Sequence, residues 1–194
     1  MVQPQFEVTV QPTATFAADF AEFLRLDDAG EIALAQAMRN ALVPVGERYT
    51  GRVFRPTTFR GTYPPPCFDG RTGHRVLELC KSPVTAVTMV EEHVDGSFAT
   101  VSDAIVTLQD HQSLVEFPTT SIYTEDIRLP VRVTFTAGYA DDSQEREMID
   151  QALKHHLGYV YENRGDVAGD FTADSMPETA KLFYNQLRII PGFG

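Results

Sequence analysis

Hydrophobic and polar residues alternate along one segment of the chain, which is the pattern of a strand with one buried face. One side contains Val131, Val133 and Phe135, and the other contains Arg132, Thr134 and Thr136. This strand, predicted over Ile127 to Thr136, runs through Ala137-Gly138-Tyr139 into a helix expected over 142–164. Asp142-Ser143-Gln144-Glu145 signals the helix start, and one buried stripe is predicted for Ile149, Leu153, Leu157 and Val160.

Helical spacing also marks the region before residue 50. Apolar residues from Thr15 to Leu26 predict a short amphipathic helix, with Thr13 or Thr15 as its N-cap. Asp28 followed by Glu31 is a capping-box pattern that predicts a second helix, with an apolar stripe of Ile32, Ala35, Met38, Leu42, Val45 and Tyr49. Pro44 removes a backbone donor inside this stripe, so we expect a kink or a split there, at a cost on the order of 3 kcal/mol.

Proline residues and a period of two replace helical spacing after residue 51. The segment Thr85 to Val94 alternates, and Asp95-Gly96 predicts a two-residue hairpin turn onto a strand within Phe98 to Leu108. Ser113 to Phe117 predicts a further strand. The middle of the chain is therefore predicted to be a small sheet of about four to six strands.

The carboxyl end is predicted to contain a loop, a helix and an apolar tail. Gly165 to Asp174 has the composition of a loop, and Ser175-Met176-Pro177-Glu178 is a cap pattern with proline in the first turn. The helix, predicted from Glu178 to about Ile190, has an apolar side of Leu182, Phe183, Leu187 and Ile190. The tail exposes more apolar surface than a monomer normally leaves in water, which predicts contact with a partner.

The fold class predicted from this order is α+β. Two helices before the β-region and two after it are short of core partners, so the simplest packing is a small bundle of about four helices with a mainly antiparallel β-region inserted between helices two and three. We expect a single domain over 1–194. Its parts are the helices of 13–50, the β-rich insert of 51–138, the long helix of 142–164, the loop of 165–174, and the final helix and tail of 175–194.

Charge and composition exclude several classes of protein. The formal net charge of −11 argues against a protein that grips nucleic acid, because that affinity comes mainly from clustered Lys and Arg. No segment approaches the roughly 18 apolar residues of a membrane span, and the amino terminus has no signal-peptide pattern. Cys67 and Cys80 are an isolated pair, which favours two reduced thiols over one disulfide.

Histidines are the first candidates for chemistry. His155 and His156 are adjacent on a predicted helix, where neighbours point about 100° apart, so they cannot chelate one ion without help from elsewhere. We expect His156 to be half-buried and hydrogen-bonded, and His155 to face a wetter side. Surface positions are expected for His74, His93 and His111. No metal and no other cofactor is predicted.

Carboxylates and a thiol are the remaining candidates. Five acids surround the start of the long helix, where most of their charge favours the positive end of the helix dipole: Asp141, Asp142, Glu145, Glu147 and Asp150. Nothing in the sequence indicates the cleft that a paired acid and base need. Cys67 lacks the His-Asn or His-Asp context of a nucleophile, and Gly70-Arg71-Thr72-Gly73 lacks the Lys-Ser/Thr pair of a phosphate loop. No catalytic residue is predicted, and we do not expect an enzyme.

Short motifs follow one another in a fixed order along the chain. They are Phe23-Leu24-Arg25-Leu26-Asp27-Asp28, Tyr49-Thr50-Gly51-Arg52, Leu79 to Val90 with Ser82-Pro83-Val84, Phe135 to Tyr139, and Tyr161-Glu162-Asn163-Arg164. In order and spacing, over roughly Phe16 to Ile190, they resemble the head-to-tail connector (adaptor) family of long-tailed bacteriophages and gene transfer agents. The segment Thr57 to Gly73 is unusually rich in proline for that family.

The resemblance implies a structural protein of the virion neck that is made in the host cytoplasm. It implies a ring of about twelve copies that links the portal protein to a tail-completion or stopper protein. DNA would pass through the lumen without specific binding, past Asp and Glu residues from the β-region or from the loop of 165–174. The apolar tail would dock on the portal ring through Leu187, Arg188, Ile189, Ile190 and Phe193.

Other interpretations stay open at this point. The tail either docks on the portal or folds back on its own bundle. The chain is alternatively another neck or tail-completion protein of related topology, or a small carboxylate-based hydrolase.

Overall fold

The structure is a computed structural model that describes residues 4–10, 19–71, 73–94, 96–110, 112–117, 130–163 and 176–189. Within these ranges the chain forms nine strands and four helices, and this confirms the predicted α+β class. The chain divides into two compact units, each built from two separate stretches. The β-unit contains Met1–Thr13 and Arg55–Gly138, and the helical unit contains Ala14–Phe54 and Tyr139–Gly194. The single-domain assignment stays a prediction.

Two antiparallel sheets make up the described part of the β-unit. The strands are β1 (Gln5–Val10), β2 (Thr57–Tyr63), β3 (Cys67–Asp69), β4 (His74–Leu79), β5 (Val84–Val94), β6 (Ser97–Thr100), β7 (Ile105–Thr107), β8 (Ser113–Phe117) and β9 (Val131–Ala137). One sheet has the order β1-β2-β9-β5-β6, and the other has the order β3-β4-β8-β7.

Alternation of side chains builds the core of the β-unit. Every second residue is buried along β2, β8 and β9, as expected where one face of a strand packs inward. The prediction for β9 is confirmed, because Val131, Val133 and Phe135 are fully buried. The predicted bounds of β8 are confirmed as well. Residues 118–129, which include the predicted start of the last strand, lie outside the described residues.

The predicted hairpin is confirmed in part. Strand β5 pairs with β6 and Val94 lies opposite Ser97, so the connection has two residues, of which Gly96 has a φ of 84°. Asp95 lies outside the described residues. The later part of the predicted partner strand belongs to the other sheet, where β7 pairs with β8.

The predicted position of the β-region, between helices two and three, is not confirmed. Strands β2 to β9 lie there, but β1 precedes every described helix and pairs antiparallel with β2. The side chain of Phe6 contacts Tyr63 edge-on, with ring centroids 5.7 Å apart. Strand β1 is an edge strand with mostly exposed residues, so its sequence carries little of the apolar alternation that marked β9.

Gly138 ends β9 where the chain leaves the β-unit. Its φ is 125°, a conformation that residues with a side chain rarely adopt. A Cβ atom here would lie 2.3 Å from the Arg55 carbonyl oxygen, and the Gly138 N–H donates to the Pro83 carbonyl over 2.9 Å. Glycine therefore lets two stretches of backbone approach closely.

The helical unit contains α1 (Phe20–Leu24), α2 (Ala29–Thr50), α3 (Gln144–Glu162) and α4 (Glu178–Leu187). Two predicted starts are confirmed by their caps. The Asp28 carboxylate accepts hydrogen bonds from the N–H groups of Gly30 and Glu31, and the Ser143 hydroxyl accepts one from the Arg146 N–H.

Three predicted helix features differ from the structure. Helix α1 ends at Leu24 because Arg25 adopts a left-handed conformation with a φ of 55°. Helix α2 is not split at Pro44 but continues to Thr50, since the residues just before the proline, Leu42 and Val43, are buried in the core. The alternative expectation, a kink at Pro44, stays a prediction. Helix α4 ends at Leu187, short of the predicted Ile190. The proposed caps Thr13, Thr15 and Ser175 lie outside the described residues.

One core joins the helices. The predicted stripe of α3 is confirmed, because Ile149, Leu153, Leu157 and Val160 are all buried. The predicted face of α4 is wrong in one residue, since Leu182 is 66% exposed while Tyr184 is buried and stacks on Phe54 at 5.9 Å. The buried cluster consists of Phe20, Ala35, Leu42, Val43, Phe54, Tyr139, Ile149, Ala152, Leu153, Leu157, Val160, Met176, Ala180, Tyr184 and Leu187.

Candidate docking site at the carboxyl end

The end of α4 is held against the end of α2 by one backbone hydrogen bond and one hydrogen bond from a side chain. The Ile189 N–H donates to the Thr50 carbonyl over 2.9 Å, and the Arg52 Nε donates to the Leu187 carbonyl over 3.0 Å. The Ile189 side chain lies over Gly51, where a Cβ atom would come within 3.7 Å of it. The path of the chain is therefore fixed as far as Ile189.

Two side-chain contacts extend this arrangement at the surface. The Tyr49 hydroxyl donates to the Asn185 Oδ1 over 2.7 Å, and the Arg188 guanidinium lies 4.8 Å from the centre of the Tyr49 ring. We call Tyr49, Thr50 and Arg52 the carboxyl-terminal clamp.

Local sequence explains why the clamp forms. Gly51, with a φ of 74°, caps α2 through its N–H bond to the Glu47 carbonyl, and the chain then turns back. The Thr50 hydroxyl donates to the Gly46 carbonyl over 2.9 Å and accepts from the Arg52 N–H over 3.2 Å. These residues form the Tyr49-Thr50-Gly51-Arg52 motif, whose contact with the carboxyl end sequence reasoning did not predict.

The predicted docking residues occupy different environments. Leu187 is buried in the helical core, Arg188 is exposed, and Ile189 is partly buried at the clamp. Ile190 and Phe193 lie outside the described residues. The structure describes three of the five predicted residues, and among these three only Arg188 is exposed.

A buried network of charges lies elsewhere in the helical unit. The Arg39 guanidinium contacts the Asp150 carboxylate at 3.2 Å, and Arg146 reaches Asp150 at 3.9 Å and the exposed Asp141 at 3.5 Å. Arg146 also donates to the Phe54 carbonyl over 3.1 Å. Burial raises the pKa of Asp150, and the two guanidinium groups oppose that rise. Sequence reasoning assigned Asp150 to the helix dipole and missed this network.

Asp150 also lines an opening of about 490 Å³ with Asp19, Glu147 and Lys154. Asp19 is ion-paired with Lys154, and Asp150 with the two arginines. These ion pairs favour a structural role for the two carboxylates over that of an acid and base in hydrolysis.

The prediction for His156 is wrong. Its side chain is fully buried, and neither ring nitrogen has a hydrogen-bond partner. Its ring meets Tyr184 edge-on at 6.3 Å. Burial lowers the pKa of His156 to about 4, so the ring is neutral near neutral pH. His155 stacks on Phe183 at 5.7 Å and meets Phe23 edge-on at 5.6 Å.

Two other histidines are less exposed than predicted. His74 is partly buried, and its Nδ1 lies 3.1 Å from Glu116 Oε2 on a nearby strand. His93 meets Phe98 edge-on at 5.2 Å. His111 lies outside the described residues.

Cys67 and Cys80 are exposed and unpaired, which confirms the prediction of free thiols. Although Cys80 is exposed as a residue, partial desolvation of its thiol, together with the nearby Glu78, raises the pKa of that thiol and disfavours the nucleophilic thiolate. Across the described ranges, no three His, Cys, Asp or Glu side chains are grouped so as to hold a metal ion. None of the described helices is long and apolar enough to cross a bilayer.

Solved structures of gene transfer agent particles contain chains with this fold. One, from the neck of an empty particle computed with C6 symmetry, has a TM-score of 0.70 and 20% sequence identity, with 98% of each chain covered. Another, from the virion of a native particle, has a TM-score of 0.71 and 20% identity over 97% of each chain. A third, from the native neck computed with C12 symmetry, has a TM-score of 0.62 and 20% identity over 98% of each chain.

No protein-family model matches the chain, and no curated protein sequence does either. The structural likeness covers both the helical unit and the β-unit. The resemblance inferred from the sequence motifs is therefore confirmed at the level of the fold, which this chain shares with chains of gene transfer agent particles.

Proposed function

We propose that this chain is a structural protein of the virion neck, a head-to-tail adaptor without enzymatic activity. It sits at the head-tail interface as a ring of about twelve copies on the portal protein and links the portal to a tail-completion or stopper protein. The observation that carries the proposal is the match over nearly the full length of a chain from a particle neck. The match includes both the helical unit and the β-unit and covers 98% of each chain, which favours a neck role for this chain as well.

The carboxyl tail is the proposed contact with the portal. The clamp fixes the chain as far as Ile189, so the residues after it start from a defined point on the helical unit. In this proposal Ile190 and Phe193 are the apolar anchors, and Arg188 orients the tail. Leu187 contributes from within the core by holding the end of α4 in place.

The ring is proposed to form part of the DNA conduit. The net charge of −11 means that Asp and Glu outnumber Lys and Arg, so acidic residues are available for the lumen wall, where negative charge repels the passing duplex. At physiological salt this repulsion reaches about 8 to 10 Å. The proposal places some of the β-unit acids on that wall, and a basic lumen would contradict it.

A pull-down with the portal protein tests the docking. Deletion of residues 190–194 removes the proposed anchors and leaves the clamp intact, so we expect the helical unit to stay folded and portal binding to fall at least tenfold. Leu182→Asp is the matched control, because it changes an exposed apolar residue of the same region and should leave portal binding unchanged. Equal binding by the deletion variant and the full chain would refute the docking proposal.

A further inference from the structure

The two edge strands of the four-stranded sheet, β3 and β7, are unusually apolar for edges. Phe68 on β3 is 66% exposed, and on β7 and just after it Ile105 is 48%, Val106 38% and Leu108 43% exposed. Among the described residues, each of these strands has a ladder partner on one side only. Both strands are only three residues long, and β3 contains Asp69 and follows Pro64-Pro65-Pro66, so a contact at these edges is limited to a short ladder.

The order of the sheet makes these two edges complementary to each other. All pairs in it are antiparallel and it has four strands, so β3 and β7 run in opposite directions. If a second copy continues the sheet in the same orientation, β7 of one copy meets β3 of the next as an antiparallel pair. The junction then repeats the hydrogen-bonding pattern already present within the sheet.

The faces of the two strands agree as well. Val106 lies opposite the buried Val115, and Phe68 lies in one row with Arg75 and Phe117. Val115 and Phe117 are two residues apart on β8, so their side chains point to the same face of the sheet. Phe68 and Val106, in the rows of these two residues, therefore lie on that same face.

Burial supports one register. When Phe68 stands opposite Val106 in an antiparallel pair, Cys67 stands opposite Thr107 and Asp69 stands opposite Ile105. The partly exposed Val106 and the exposed Phe68, which lie on one face, then cover each other and remove apolar area from water.

We propose that copies of this chain associate head to tail by joining β7 of one copy to β3 of the next, in the register that pairs Phe68 with Val106. The contact uses two different surfaces, so it is heterologous, and in the ring of the proposed function it leaves neither edge free. The inference deepens the proposed function by naming the contact between neighbours in the ring, and it rests on that function only for closure of the ring.

Each junction is weak when made alone, because it adds only a three-residue strand. We therefore expect the isolated chain to self-associate at the millimolar concentrations that neighbours in an assembly experience.

A thiol crosslink tests the register directly. In a Cys80→Ser background, Thr107→Cys places a second thiol where the register sets it opposite Cys67 of the next copy. The Cα atoms of directly opposed residues lie about 4.5 to 5.5 Å apart, within the range that a disulfide spans. With a mild oxidant at millimolar protein concentration, we expect a ladder of products beyond the dimer and a linked peptide that joins positions 67 and 107.

Matched variants make the test specific. Thr100→Cys puts the thiol on an edge strand of the other sheet and should give at least tenfold less ladder. Val106→Lys, added to Thr107→Cys, should suppress the ladder by a similar factor, because it puts a charge opposite Phe68. The proposal is overturned if Thr107→Cys gives no ladder, or if Thr100→Cys gives as much. Portal binding is measured separately, so a failure here is distinct from a failure of the neck function.

Discussion

The helical unit and the β-unit differ in which unfavourable environments their side chains occupy: polar groups are buried in the first, and apolar groups are exposed on strand edges in the second. The helical unit buries Arg39, Arg146 and His156 among its helices. The β-unit exposes apolar residues on two edge strands, with Phe68 and Ile105 the most exposed among them, whereas exposed apolar residues of the helical unit such as Leu182 lie on helices, whose backbone groups are already hydrogen-bonded. A buried ion pair destabilises the fold when one of its partners is removed. An exposed apolar edge strand can instead pair with a strand of another chain. In the proposed ring, the edges of the β-unit contact neighbouring copies, and the carboxyl tail of the helical unit contacts the portal.

Gly138→Ala is the change with the largest expected effect on the β-unit. It forces a side chain into a φ of 125° and brings a Cβ atom to 2.3 Å from the Arg55 carbonyl oxygen. We expect the free energy of unfolding to fall on the order of 4 kcal/mol, measured by urea denaturation. Gly70→Ala is the control, because no atom lies within 4 Å of its added Cβ. Equal stability of the two variants would show that the close approach of the backbone at Gly138 does not require glycine.

Asp150→Asn tests the buried charges of the helical unit. The substitution keeps the shape of the side chain but leaves Arg39 and Arg146 without their shared counter-charge. We expect a loss of about 3 kcal/mol in unfolding free energy, because two buried guanidinium groups lose a counter-charge that they share. Asp142→Asn, at an exposed position nearby, should change stability by less than about 0.5 kcal/mol. A loss no larger than this control would show that the network is not needed.

His156 predicts a pH dependence confined to the helical unit. Its pKa is about 4 in the folded chain, below the ordinary value of 6.5, so between these values the unfolded chain binds more protons. Stability is therefore complete above about pH 6.5 and falls with acid, by about 2 kcal/mol between pH 7 and pH 5. In His156→Leu this part of the slope should vanish, as denaturation at both pH values will show. An unchanged slope would contradict the assignment to His156.

Local signals in the sequence predicted much of the fold. The caps Asp28 and Ser143 and the stripe of α3 depend on residues within a few positions of each other, and each is found as predicted. Alternation predicted β9 because that strand is buried on one whole face. The exposed edge strand β1 lacks this pattern and was missed.

Long-range and ambiguous features could not be predicted in this way. Arg39 and Asp150 are 111 residues apart in sequence, so no local pattern links them. Leu182, Phe183 and Tyr184 are consecutive apolar residues, and only packing decides that Tyr184 points inward. His156 was expected to be hydrogen-bonded because most buried polar groups are, and its environment is an exception to that rule.

The carboxyl-terminal docking site was predicted in part. The sequence indicated an apolar end in need of a partner, but the burial of Leu187 depends on helices distant along the chain. The Tyr49-Thr50-Gly51-Arg52 motif was noticed only as part of a resemblance. Its contact with residues 187–189 appears once α2 and α4 are brought together.

Electron cryo-microscopy of the chain mixed with its portal protein tests whether this chain is the adaptor of the neck. We expect a ring of about twelve copies on the portal, with β7 of each copy beside β3 of the next and residues after Ile189 in contact with the portal. A portal that stays bare in the presence of this chain would contradict the proposed function.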